Sequence, residues 1–396
     1  MKNSMLYLMH VDWSWAKQRP HFIAEGLAKY FDVRVRFPFI YQKALTNTVP
    51  APDSLKVKPI RRLPLERFGM MVRINRLLAR VQLIRAARSS SVVWVTHPGM
   101  FDLVGRRLAR GAKLVYDCMD DALEFPDTRS DPRRRSKIAA IEERLIDRAD
   151  VVFSSSHYLK GKLQARYGAD RVIHVVNNGV RMPPERSPDT EDDPGRLNDI
   201  LGAAAQAPGR RILYVGTVSE WFDFDLVLRS LDEVEGISYV IVGPCEVTPP
   251  GHERLFVVPP VQHGDVARLM AWADALVMPF HLTELIRSVN PVKVYEYIDA
   301  GKPAIVLRYG ETEVFDRYVH LYASAEEYLV LVRAVASGDL LAKVESDVAR
   351  QFVRENSWTA RVDTVMSHLR LLSRTSRGAD CSAPDRRPYA GAGEAD

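Results

Sequence analysis

One carboxylate, Glu296, follows an Asn-Pro step in the run Ser288-Val289-Asn290-Pro291-Val292-Lys293-Val294-Tyr295-Glu296-Tyr297. Pro291 suits the first position of a helix, where its missing N–H costs nothing. The free N–H groups of a helix N-terminus attract phosphate. A glutamate about one and a half turns further on can accept hydrogen bonds from sugar hydroxyls. The Asn290-Pro291 turn and Glu296 together therefore suggest a pocket for a nucleoside diphosphate with a ribose.

Other groups with chemical potential stand just after apolar runs. Trp13, Lys17 and Arg19 follow the first such run and suit a rim that stacks sugars and binds phosphate; the alternative is that Trp13 and Trp15 cover the edge of the core. His97 can contact a substrate hydroxyl or assist proton transfer, or it can be a structural loop histidine. Asp117, Asp120 and Asp121 crowd three carboxylates into five residues, which basic neighbours or a hydroxyl-rich sugar would relieve, unless one of them caps a helix. Gly216, Thr217 and Ser219 suit a phosphate-binding turn, and Gly243 opens a loop suited to a base; an ordinary strand-to-helix turn is the plainer reading. The G-x-G-x-x-G fingerprint is absent from the first such loop, which argues against a dinucleotide enzyme.

These groups need elements to position them. β-rich runs at Met5–Val11, Val33–Phe37, Val92–Thr96, Lys113–Asp117, Asp150–Ser154 and Val172–Val176 alternate with helical patterns such as Arg19–Tyr30 and Ile138–Arg148. A second series follows at Arg211–Val215, Ser238–Val242, Leu255–Val258, Ala275–Met278 and Ala304–Leu307. Runs apolar on both faces suit parallel strands. The expected fold is α/β, two Rossmann-like doubly wound parallel sheets facing a cleft, with ligands at the carboxyl ends of the strands. Residues 1–180 form the first domain, 181–210 a Pro-rich acidic linker, 211–356 the second domain, 357–376 a helix, and 377–396 a disordered tail.

The 396 residues are 46% hydrophobic and 27% charged, as in globular proteins that need no bilayer. No apolar run approaches the ~20 residues that span a membrane, and the N-terminus is too short for a signal peptide. Cys118, Cys245 and Cys381 fit neither a zinc site nor a disulfide framework, so a reducing cytoplasm is expected. Residues 1–180 hold 32 Lys and Arg against 17 Asp and Glu, while the rest holds 23 against 33. The first half therefore expects an anionic partner. Its segment Arg61–Arg88 mixes eight arginines with Met70, Val72, Leu77 and Val81, a basic amphipathic helix suited to an anionic membrane surface or to an ordinary solvated face. Arg133-Arg134-Arg135 extends that patch. No nucleic-acid motif is present.

The segments around Trp13–His21, Tyr116–Asp121, Gly216–Asp223 and Asn290–Tyr297 together resemble GT-B glycosyltransferases. They are most similar to retaining group 1, family 4-like bacterial enzymes of the teichuronic-acid or exopolysaccharide type, across residues 5–370. The resemblance implies a nucleotide-sugar donor in the second domain, a lipid-linked or oligosaccharide acceptor in the first, and no metal or cofactor. It also implies a C-terminal helix, from Ser357-Trp358, that crosses back to the first domain. Glu296 matches the second glutamate of the family's E-x7-E motif; the first falls on Ser288. The usual basic pair after the first strand of the second domain is missing, and Met119 stands where many relatives carry a histidine. Asn290, Lys293, Arg287 or Arg19 would then meet the diphosphate. His97 and Asp120 would lie near the transferred sugar, with Trp13, Lys17, Arg19 and Asp121 on the acceptor side. The expected protein is a cytoplasmic enzyme, peripheral at the inner face of the membrane. A nucleotide-sugar 2-epimerase of the same fold and a non-catalytic sugar- or lipid-binding partner are the alternatives.

Overall fold

The structure, a computed structural model, describes residues 2–14, 17–38, 51–63, 69–105, 108–182 and 194–378. Seven strands, β1 (Asn3–Leu8), β2 (Phe31–Pro38), β3 (Lys58–Ile60), β4 (Val92–Val95), β5 (Lys113–Cys118), β6 (Val151–Ser154) and β7 (Ile173–Val175), form a parallel sheet in the order β3-β2-β1-β4-β5-β6-β7. Six more, β8 (Arg210–Val215), β9 (Ile237–Val242), β10 (Leu255–Val258), β11 (Ala275–Met278), β12 (Ala304–Leu307) and β13 (His320–Tyr322), form a second, ordered β10-β9-β8-β11-β12-β13. In each sheet the winding reverses beside the first strand, at β1/β4 and β8/β11, and ligands bind such sheets at these points.

The central strands are buried on both faces, as their unbroken apolar runs require: Val92–Val95, Ile237–Val242 and Ala275–Met278 are buried throughout. Along β1 the pleat sends alternate residues to opposite sides. Met5 and Tyr7 pack with Trp94 and Phe153; Leu6 and Leu8 pack with Val93, Val95 and Tyr116. Every strand expected from the sequence is present, and β3 and β13 are additional. Both are three-residue edge strands, too short for a periodic signal, and β3 contains Pro59, which only an edge tolerates.

Helix Pro132–Arg148 starts six residues before its expected start, because Asp131 caps it with bonds to Arg133 N–H and Arg134 N–H and Pro132 occupies its first turn. Of the expected basic helix, Gly69–Arg88 is helical, residues 61–63 are not, and residues 64–68 lie outside the described residues. The tail from 379 and residues 183–193 of the linker also lie outside them, whereas the rest of the expected linker is corrected: Pro194–Leu201 is helical, and Leu201 and Ala204 are buried in the second domain's core.

The chain crosses between the sheets at Val180, which exchanges backbone hydrogen bonds with Asn356 and Trp358 at 3.1 Å each. Gly179 lies so close to Trp358 that a Cβ would sit 2.9 Å from its backbone nitrogen, which explains the glycine. Helix Trp358–Gly378 then buries Trp358, Val362, Val365 and Met366 against the first sheet's core.

Candidate active site

In the second domain, helix Val292–Asp299 begins after Pro291, which is the residue before the helix rather than its first, and no side chain caps the first turn. Among the described residues the N–H groups of Val292 and Lys293 have no side-chain partner, while Val294 N–H donates to the Pro291 carbonyl at 3.2 Å. Glu296 is partly buried one and a half turns in, and its Oε2 lies 2.7 Å from Lys293 Nζ. Thr217 is half-buried at the end of β8, with its carbonyl accepting from Tyr214 O–H at 2.9 Å. Gly216 and Gly243 meet across β8 and β9. Gly243 has φ +145°, and a Cβ on it would fall 2.1 Å from the Gly216 carbonyl oxygen. Glycine is thus demanded there by the approach of two backbones.

Two donor-side expectations are corrected, at Ser219 and Ser288. Ser219 is buried, and its hydroxyl donates to Glu246 Oε2 at 2.9 Å, so it is committed to a carboxylate. Ser288, at the position of the family's first glutamate, turns its hydroxyl back to the Leu285 carbonyl, while its own carbonyl accepts from Ser156 of the first domain. Asn290 is 1% exposed. Its Oδ1 accepts from Asn178 N–H at 3.1 Å and from Tyr295 O–H, which ties the two domains together, while its buried Nδ2, the half that could donate to a phosphate, has no partner among the described residues. Arg287 is an exposed residue whose Nε lies 3.8 Å from Glu284.

In the first domain, His97 follows β4 and caps helix Pro98–Val104, with its Nδ1 accepting from Gly99 N–H at 3.0 Å. A ring nitrogen that accepts carries no proton, so the neutral tautomer holds it on Nε2. Burial, reinforced by the Arg134 guanidinium, pulls the imidazole down to about 4. His97 is therefore a neutral hydrogen-bond donor at physiological pH, and the proton-transfer role considered from sequence does not fit it. His10, beyond β1, lies with its ring centre 5.0 Å from that of His97, bonds Thr96 Oγ1, and is pulled down to about 3 by burial and by His97. Phe125 stacks on His97.

Asp120, after β5, is half-buried. Burial, with Asp117 and Asp121 adding to it and Arg19 opposing, raises its carboxyl to about 6. Asp121 differs from its neighbour. Its side chain is 1% exposed and accepts from both Arg166 nitrogens, at 2.9 and 2.6 Å, and lies 2.9 Å from Lys162. The strain among the three carboxylates is relieved by basic side chains, and Asp121 holds the loop instead of facing an acceptor.

Trp13 and Arg19 do not form a rim. Trp13 is 3% exposed and packs on His21, the core-edge role weighed as its alternative, and Trp15 lies outside the described residues. Arg19 is buried in an ion pair with Asp117 at 2.7 Å, and its Nη1 donates to the Val176 carbonyl at 2.6 Å. It thereby staples helix Arg19–Leu27 to β5 and the end of β7, and it is not free to meet a diphosphate. Lys17 pairs with Glu25 at 2.6 Å. The sequence reading also missed helix His157–Tyr167, whose Ser156 cap was a legible signal but whose contacts reach residues more than a hundred positions away.

Helix Gly69–Arg88 turns small residues, Ala79, Ala86 and Ala87, toward the core and leaves Met70, Leu77 and Val81 at 72%, 60% and 63% exposure. Arg76 and Arg80 lean on Asp102, and Arg73 is exposed. Among the described residues, no helix is long and apolar enough to cross a membrane.

Residues 23–179 match the glycosyl transferase 4-like domain. Over 405 residues the chain is 22% identical to TuaH of Bacillus subtilis (strain 168), described as a teichuronic acid biosynthesis glycosyltransferase; the match covers 93% of this chain and 98% of that one. Among solved structures, sucrose-phosphate synthase from Thermosynechococcus elongatus superposes with a TM-score of 0.69 at 13% identity, covering 94% of this chain and all of that one. Anabaena HepE, solved with UDP-glucose, superposes with a TM-score of 0.63 at 13% identity, covering 92% and 99%. The likeness to these solved structures is one of fold, two parallel-sheet domains with flanking helices. The chain has the two-domain GT-B fold, and residues 23–179 of its first half are similar to the glycosyl transferase 4-like domain.

Proposed function

We propose that the protein moves a sugar from a nucleoside-diphosphate donor, held by the second domain, to a lipid-linked or oligosaccharide acceptor held by the first, in the assembly of a cell-surface polysaccharide. The observation that carries this reading is the Lys293–Glu296 pair on the uncapped first turns of helix Val292–Asp299. In it, the N–H groups of Val292 and Lys293, the Lys293 ammonium and the Thr217 hydroxyl receive the diphosphate. Glu296 accepts from the ribose hydroxyls, and Gly216 and Gly243 let the nucleoside approach the backbone. His97 donates its Nε2–H to the transferred sugar, and Asp120 faces the acceptor hydroxyl. Retention of anomeric configuration follows from the resemblance to retaining enzymes. HepE's complex with UDP-glucose and TuaH's assignment to teichuronic acid biosynthesis support the donor class and the pathway class. These named relatives are synthases and transferases, which favours transfer over epimerisation.

In the same reading the protein sits at the inner face of the cell membrane through helix Gly69–Arg88. Met70, Val72, Leu77 and Val81 point outward beside exposed Arg73, as an anionic lipid surface requires, while Leu83 anchors the helix in the core. Replacing Leu77 and Val81 together by glutamine should release the protein from anionic vesicles; retained binding would place the contact elsewhere.

A panel of nucleotide sugars tests the donor. A bound donor raises apparent stability by about 2.7 kcal/mol at a hundred times its Kd. A panel in which no nucleotide sugar shifts the melting temperature or is turned over would refute the reading.

A further inference from the structure

Helix His157–Tyr167 starts at the carboxyl end of β6 and touches both walls of the cleft. Toward its own domain, Lys162 and Arg166 pin Asp121, the neighbour of Asp120, and Lys162 also lies 3.9 Å from Glu124. Toward the second domain, Lys162 Nζ lies 3.4 Å from Glu284 Oε2, and that oxygen also accepts from Tyr158 O–H at 2.8 Å. The Tyr158 N–H donates to the buried carboxylate of Glu311 at 2.9 Å, and the Ser156 hydroxyl donates to the Ser288 carbonyl at 2.7 Å. Glu284 opens the short helix Glu284–Ser288, which leads directly into Asn290-Pro291 and the helix that carries Lys293 and Glu296.

One ammonium therefore bridges the loop that presents Asp120 and the helix that leads to the donor segment. Loops approached by a single fixed element move with it, and misplacing reacting groups by about 1 Å can cost on the order of 100-fold in rate. The three contacts differ in exposure. Asp121 is fully enclosed, whereas Glu284 is half exposed and can part from Lys162 when the domains separate. The permanent half of the bridge thus belongs to the first domain and the breakable half faces the second. Burial opposes the Lys162 charge, but its bonds to Asp121 prevail and raise its pKa, so it stays charged through the physiological range.

We propose that Lys162 and Glu284 are positioning residues for glycosyl transfer: their contact sets the separation between the Asp120 loop and the Asn290–Glu296 segment. The link to transfer rests on the cleft reading above, while the separation itself can be measured without any substrate. Spin labels at Lys137→Cys on the first domain and Val330→Cys on the second, with Cys245 and Cys381 replaced by serine, report the distance in the full chain. Both labelled positions are exposed. Lys162→Met and Glu284→Gln should each lengthen or broaden the distance distribution. The double variant should go no further than either single one, because each change alone already removes the ion pair between the domains, and the contacts of Lys162 to Asp121 and Glu124 lie within the first domain. Lys162→Arg, which keeps the charge, should restore the narrow distribution. An unchanged distribution in both single variants, or effects that simply add in the double variant, would overturn the proposal. A thermal unfolding control separates this from misfolding. Failure here would leave the transferase reading standing, since that reading is tested by the donor panel.

Discussion

Lys293 Nζ lies 2.7 Å from Glu296 Oε2, so the two charged side chains best placed for a donor hold one another in the free protein. The pair is partly exposed, 33% and 18%, and such pairs add only about 0–1 kcal/mol to stability. Lys293→Met should therefore leave chemical unfolding within about 1 kcal/mol of the parent. Donor affinity should nevertheless fall about tenfold, because a charged hydrogen bond to phosphate is lost. Urea titration and calorimetry separate the two effects. A loss of stability without loss of affinity would make the pair structural.

Arg19 and Asp117 should behave in the opposite way. Both are buried, and removing one partner leaves an uncompensated charge. Arg19→Met should destabilise the fold by about 3–5 kcal/mol, read by urea unfolding. Replacing both at once, with Arg19→Met and Asp117→Leu, should recover much of the loss. Equal damage from the single and double variants would show that the pair is needed for more than mutual neutralisation.

Asp120 predicts a pH signature. Its carboxyl is raised from 3.8 to about 6, chiefly by burial, so the folded chain takes up a proton between those values. The contribution of this carboxyl to stability therefore falls as pH rises from about 4 to 6 and is level above that. Asp120→Asn has no such group. It should be more stable than the parent at pH 7 by about 1–2 kcal/mol, with the advantage fading below pH 4. Activity should show an acid limb near pH 6 that Asp120→Asn abolishes, while His97, neutral above about pH 4, should add no limb near 6.5. Unfolding curves and rate profiles across pH 4–8 check both statements.

The central strands were legible because burial on both faces leaves an unbroken apolar run, as in Val92–Val95 and Ile237–Val242. Edge strands such as Lys58–Ile60 carry no such pattern. The helix that carries Glu296 was legible because its start is local. The fates of Arg19, Ser288, Asn290 and Asp121 were not, because each is decided by a partner far along the chain: Asp117, Ser156, Asn178, and Lys162 with Arg166. A strand-end position marks a side chain as near the cleft; it does not say whether the side chain faces the ligand or the other half of the fold. With no basic pair after β8 and Arg19 occupied by Asp117, the proposed reading assigns the diphosphate to Lys293 and the first turn of its helix.

Calorimetry on Glu296→Ala, with a donor selected from the nucleotide-sugar panel, tests the central claim most directly. The account predicts that donor affinity falls by about 1.5–3 kcal/mol, the worth of charged hydrogen bonds to the ribose, while the fold stays intact. Unchanged donor binding in a folded Glu296→Ala protein would contradict it.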